Sequence, residues 1–143
     1  MTHEQFGFLT SVTGEGLLAL AAEWVEAGDP VRAVAALRRQ YEPAQVAAAL
    51  EQAELRRRAR AKFSDADRML FTREGLEQAS GERAARWRAR RYGPWPLVAD
   101  LCCGIGGDSG ALSAEHAVVA VDRNPLHART PSHQPGELRK ITN

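Results

Sequence analysis

The chain has 143 residues, a formal net charge of +1, and is 44% hydrophobic and 26% charged. That length suits one domain, or a small domain with part of another, and the composition excludes wholesale disorder. The near-neutral balance excludes polyelectrolyte behaviour, so any affinity for nucleic acid has to come from a local patch.

No apolar run approaches the roughly 20 residues of a membrane helix, and no membrane partner is expected. The start, "MTHEQFGFLTSVTGEG", lacks the basic head and apolar stretch of a secretory signal, so a cytoplasmic location is expected. The cysteines, Cys102 and Cys103, are adjacent and lack the gap of a zinc knuckle. His3, His116, His127 and His133 are scattered, so no metal site is expected.

In chain order, the signals up to about Tyr92 are helical. Thr13 is placed to cap "GEGLLALAAEWVEA" and Gly28 to stop it. Asp29-Pro30 repeats a cap-plus-proline start for "VRAVAALRRQY". Pro43 opens "AQVAAALEQAELRRRARAKF", with Val46, Leu50, Ala53 and Ala61 along one face and an arginine-rich second half ending at Lys62 and Phe63. Ser64 or Asp65 caps "ADRMLF", Thr72 caps "REGLEQA", and "GERAARWRARRY" runs to Gly93. "GPWP", Gly93 to Pro96, then terminates helix and forces extended backbone.

"LVADL" reads as a short buried strand, residues 107–114 as a helix, and "AVVAVD" as a second buried strand. Apolar strands around a helix imply a βαβ unit with parallel pairing and a right-handed crossover. Asn124 and Pro125 look like the cap and first residue of another helix, but "TPSHQPGELRKITN" follows and reads as an unstructured tail. The organisation expected is a helical part over 1–93, a βαβ part over 94–129, and a disordered or frameshifted tail over 130–143.

The chemistry is concentrated in "VADLCCGIGGDSGALS". Gly104, Gly106 and Gly107 let the chain turn sharply between strand and helix and let a ligand approach the backbone. A dinucleotide fingerprint wants glycine at the third place, where this chain has Ser109. Asp100 at the strand end would repel a pyrophosphate and suits a ligand presenting a cation and hydroxyls. S-adenosylmethionine is such a ligand, with a sulfonium, an ammonium, a ribose and no phosphate.

Here the stretch resembles motif I of class I S-adenosylmethionine-dependent methyltransferases, the D-x-G-x-G-x-G pattern. Asp100, Gly104 and Gly106 fall on its acid and later glycines, and Cys102 replaces its first glycine. The resemblance implies a Rossmann-like α/β sheet of which this chain carries the first βαβ, incomplete, behind an N-terminal helical subdomain. It also implies S-adenosylmethionine as cofactor, held by Asp100, Cys102, Gly104, Gly106 and Gly107, with Asp122 receiving the ribose hydroxyls. The separation of the acids agrees with the roughly 20-residue rule for a ribose-binding carboxylate.

Upstream, "MLFTREGLEQASGERAARWRARR" resembles trimethylguanosine synthase and its bacterial RNA guanine-N2 methyltransferase-like relatives. Arg73, Glu74, Gly75, Ala79, Ser80 and Glu82 carry that likeness, while Leu76 stands where an aromatic is usual and Gly81 where proline is usual. The implied activity is methyl transfer to RNA, with Arg83, Arg86, Arg88, Arg90 and Arg91 as an RNA face and Trp87 and Tyr92 among them for stacking. The alternative is a solvated helix face with Trp87 turned inward to the core.

No catalytic residue is assigned. Exocyclic-amine methyltransferases use an (N/D)-P-P-(Y/F/W) loop after a fourth strand, and Asn124-Pro125 follows the second strand without the second proline or the aromatic. The chain is therefore expected to be the N-terminal part of a larger methyltransferase, cut short or shifted in frame near Ala128. Two other readings stay open: a non-catalytic helical RNA- or protein-binding module with a vestigial βαβ tail, and a dinucleotide-dependent oxidoreductase fragment.

Overall fold

Capping chemistry sets the first helices in the computed structural model, which describes residues 1–127 and the backbone of Leu138–Lys140. α1, His3–Leu9, opens on a capping box in which Gln5 N donates to Thr2 Oγ1 and Thr2 N donates to Gln5 Oε1. α2, Val12–Ala27, is capped by Ser11, whose Oγ accepts from Gly14 N at 3.1 Å. Thr13, the expected cap, lies inside the first turn, because the extended backbone that a cap requires falls at Ser11. Gly28 closes the helix in the left-handed region, as expected.

Asp29 Oδ1 accepts from Arg32 N and Pro30 begins α3, Pro30–Leu37; Pro43 likewise begins α4, Pro43–Ala59. Val46 and Ala53 are buried on α4, Leu50 is half-buried, and Ala61 lies beyond the helix end and is exposed. The chain divides into two compact units, the first from Met1 to Arg57 and the second from Arg58 onward. Phe6, Leu9, Leu17, Leu18, Ala33, Leu37 and Leu55 are among the buried side chains of the first. Each large one contributes about 1.5–3 kcal/mol of transfer free energy.

The second unit begins with a 3-10 turn, Ala66–Arg68, and continues with α5, Arg73–Gln78, and α6, Glu82–Ala89. These gather with the sheet, so the division falls well before the proline break expected at residue 93. Thr72 caps α5 by accepting from Gly75 N at 3.0 Å. Lys62 Nζ donates to the carbonyls of Leu76 and Ala79 at 2.7 and 3.0 Å, satisfying acceptors that the end of α5 leaves unpaired. Ser64 N donates to Glu82 Oε2 at 2.7 Å and Glu82 N to Lys62 O at 2.8 Å, which stitches residues 62–64 to the start of α6.

β1, Leu97–Leu101, leads through α7, Gly107–Leu112, to β2, Ala117–Val121, and the two strands pair in parallel, Val98 opposite Val118 and Asp100 opposite Ala120. This is the expected mixed α/β arrangement. A third strand, β3, Leu138–Lys140, pairs in parallel with β2, giving the order β1-β2-β3. It corrects the expectation of two strands, since backbone groups on the open edge of β2 recruit a short segment that has no strand signature of its own. The rest of the expected tail, and the change near Ala128, lie outside the described residues.

The strands are not buried throughout, as their apolar sequence suggested. Val98 and Val118 pack with Ala89 and Leu112 beneath the helices, whereas Leu97 and Leu101 on the other face of β1 are 55% and 70% exposed. Helices cover one face of the sheet among the described residues, so β1 alternates.

Candidate functional site

The ends of β1 and β2 bring the two expected acids to one loop. After β1 the backbone enters the left-handed region at Cys102 (φ 60°), Gly104 (φ 55°) and Gly106 (φ 83°). Glycine tolerates that geometry freely, and a cysteine bears a cost of roughly 1–2 kcal/mol. Cys102 therefore holds a backbone conformation that favours glycine, with its side chain exposed. The loop closes through Gly106 N to Cys103 O at 2.9 Å and Cys103 N to Val121 O at 3.0 Å. Nothing lies within 4 Å of where a Cβ on Gly104 would point, so a ligand can reach that backbone.

Asp122, just past β2, braces this loop. Its Oδ2 accepts from Gly104 N at 2.9 Å, its Oδ1 accepts from Asn124 N at 2.8 Å, and His127 Nδ1 lies 3.7 Å from Oδ1. His127 Nε2 in turn meets Thr72 Oγ1 at 3.2 Å, linking the cap of α5 to the acid. Asn124 accepts from Leu126 N at 3.0 Å, which makes it the start of a turn.

Asp100 faces the helices, and its Oδ2 accepts from Ser109 Oγ at 2.5 Å. Burial pushes its carboxyl above the usual range against the pull of the Ser109 hydrogen bond, and the nearby Asp108 and Asp122 carboxylates push the same way. Burial, with Asp100 and Asp122 adding, pushes the Cys103 thiol up to about 12, which leaves it an inert filler near neutral pH.

Gly107, the remaining expected position, begins α7 and has a different surrounding. A Cβ there would sit at ordinary contact distance, 3.4 Å from Phe63 Cε1 and 3.5 Å from Ser80 O, so α7 begins close against the helical segment without packing there requiring a glycine. A cavity of about 420 Å³ lies along that side of α7, lined by Phe63, Met69, Ala89 and Gly110 among others, and neither acid lines it.

With this geometry in view, the chain is similar to a solved structure described as "putative methyltransferase from Porphyromonas gingivalis W83", at a TM-score of 0.65 and 24% identity over 89% of this chain. The fold is methyltransferase-like. The chain spans 34% of the length of that neighbour. A family model described as a domain of unknown function (DUF8688) matches residues 2–59, and no curated protein matches the chain. Among the described residues no helix is long and apolar enough to cross a membrane.

In this methyltransferase-like fold several contributors escape the sequence reading. Ser109, noted only as the wrong residue for a dinucleotide fingerprint, holds Asp100 from within α7. Thr72 and His127 reach the loop through Asp122, with no spacing that announces it. Gly75 did carry a signal, as half of an acid-glycine pair. A Cβ on it would lie 2.2 Å from Ile105 Cγ2 and 2.8 Å from Thr72 Oγ1, so its absence lets α5 lie against the loop.

The five arginines divide. Arg86 pairs with Glu82, and Arg88 grips Asp108 Oδ1 through Nε at 3.1 Å and Nη2 at 2.5 Å. Arg83, Arg90 and Arg91 are exposed, and the Arg91 guanidinium lies 4.8 Å over the ring of Trp87. Trp87 is 60% exposed, against the alternative that it turns into the core.

Proposed function

We propose that the protein is an S-adenosylmethionine-dependent methyltransferase that acts on RNA, of the trimethylguanosine synthase and RNA guanine-N2 methyltransferase type. The observation that carries the cofactor assignment is the loop itself: a left-handed turn with open backbone at Gly104, set between the strand-end carboxylates of Asp100 and Asp122. Two carboxylates there suit a ligand bearing sulfonium and ammonium charges and oppose a pyrophosphate, which argues against the dinucleotide reading. When bound, S-adenosylmethionine supplies an electrophilic methyl group.

The chain's own residues bind and orient. Each Asp122 oxygen has a second lone pair, so the carboxylate can brace Gly104 N and Asn124 N while accepting from ribose hydroxyls. Asp100, fixed by Ser109, adds negative charge beneath the turn. Arg83, Arg90 and Arg91 offer phosphate contacts beside Trp87.

Calorimetric titration with S-adenosylhomocysteine, and with NADH as the phosphate-bearing control, tests the reading. The wild type is expected to bind the former alone. Asp122→Ala is expected to weaken binding by roughly ten- to a hundred-fold, the equivalent of about 1.5–3 kcal/mol for a charged-group hydrogen bond. Unchanged affinity in the variant would remove Asp122 from the site, and binding of NADH alone would overturn the methyl-donor assignment.

A further inference from the structure

Arg83, Trp87, Arg90 and Arg91 stand at i, i+4, i+7 and i+8 along α6 and the turn that follows it. That spacing puts them on one side, while Ala85 and Ala89 are buried on another. Arg83, Trp87 and Arg90 also line an open groove with Arg60, Lys62, Ser64 and Glu82. Internal pairing decides which charges are available. Arg60 is held by Asp67, Lys62 by carbonyls of α5, Arg86 by Glu82 and Arg88 by Asp108. Arg83, Arg90 and Arg91 are without a carboxylate partner among the described residues.

Trp87 is the other half of the argument. A solvent-facing indole is costly to leave uncovered, and here the Arg91 guanidinium carbon lies over its ring, 4.8 Å from the centroid. An exposed aromatic ring flanked by three cations with no carboxylate partner among the described residues matches the recognition of unpaired nucleic acid, in which a base stacks on the ring and phosphates meet the arginines. Duplex RNA fits it less well, because its bases are stacked internally and only phosphates and 2′-hydroxyls are presented.

We infer that this face of α6 is a docking platform for single-stranded RNA, with a base on Trp87 and backbone phosphates on Arg83, Arg90 and Arg91. The inference deepens the RNA part of the proposed function and rests on that reading of the substrate. It makes no use of the strand-end loop, so the two can fail separately.

The test uses the whole chain and fluorescence anisotropy of a labelled oligouridylate, with a duplex RNA of equal length and phosphatidylserine vesicles as competitors. Single strand is expected to bind more tightly than duplex, and log affinity to fall against log salt with a slope of about −2 for three phosphate contacts. Trp87→Leu should weaken binding by about ten-fold, and Trp87→Phe, which keeps a stacking face, by less. Arg83→Gln and Arg90→Gln should each flatten the slope by about 0.7. S-adenosylhomocysteine binding is measured on the same preparations. Equal affinity for duplex, equal affinity in Trp87→Leu, or displacement by vesicles alone would overturn the platform. Oligouridylate binding that depends on Trp87, in a protein that ignores S-adenosylhomocysteine, would uphold the platform and sink the methyl-donor reading.

Discussion

Asp100 and Glu82 show how the same side-chain chemistry takes opposite directions in one unit. Glu82 accepts from the Ser64 backbone N–H and pairs with Arg86, and that hydrogen bond holds its carboxyl below the usual range. Its contribution to stability is present above the unfolded carboxylate range and is lost as pH falls. Asp100 is the reverse, raised chiefly by burial, so its contribution is complete at low pH and is lost as pH rises through the raised value. Asp100→Asn still accepts from Ser109 and carries no charge to bury. It should be more thermally stable than the wild type near neutral pH, with the gap closing toward acid, while weakening any cationic ligand at the loop. Melting temperatures from pH about 4 to about 8 would show this. Parallel curves for the two proteins would contradict it. At this scale Asp100, Gly104 and Asp122 were legible because strand ends and glycines mark the loop. Ser109 was not, because its partner stands nine positions upstream and meets it only once α7 folds back over β1.

At the scale of elements, the close approach of α5 to the loop depends on a missing side chain. Gly75→Ala would drive a methyl group into Ile105 and Thr72, so either the helix backs away or the loop shifts. The expected result is a loss of about 1–3 kcal/mol in denaturant unfolding, typical of overpacking, together with weaker S-adenosylhomocysteine binding. Wild-type behaviour in both measurements would show that α5 does not support the loop. Caps and prolines made the helices easy to find, as at Asp29-Pro30, Pro43 and Thr72. The strands were found by their apolar runs, but those runs concealed the alternation of β1. Composition cannot tell a strand covered on both faces from one whose second face is open. β3 was missed because pairing with β2, rather than its own residues, makes it a strand.

At the scale of the molecule, the sequence suggested a helical part followed by a βαβ part, and the structure draws its division earlier. The first unit, Met1–Arg57, nearly coincides with residues 2–59 matched by the family model, while the second carries the loop, both acids and the basic face of α6. Position along the chain hid this, because α5 and α6 look like a continuation of the preceding helices until Gly75, Ser80 and Ala89 are seen against the sheet unit. The strand–helix–strand repeat was legible from the apolar runs and the spacing of Asp100 and Asp122, and the methyltransferase-like fold from the resemblance of the loop between them to motif I.

The central claim is that this loop receives S-adenosylmethionine. Amide hydrogen exchange on the whole chain, with saturating S-adenosylhomocysteine and separately with NADH, tests it most directly. Slowed exchange confined to the segment from Cys102 to Gly107 and to the residues around Asp122, seen with S-adenosylhomocysteine and not with NADH, is the predicted result. Exchange unchanged by S-adenosylhomocysteine, or slowed there by NADH alone, would contradict it.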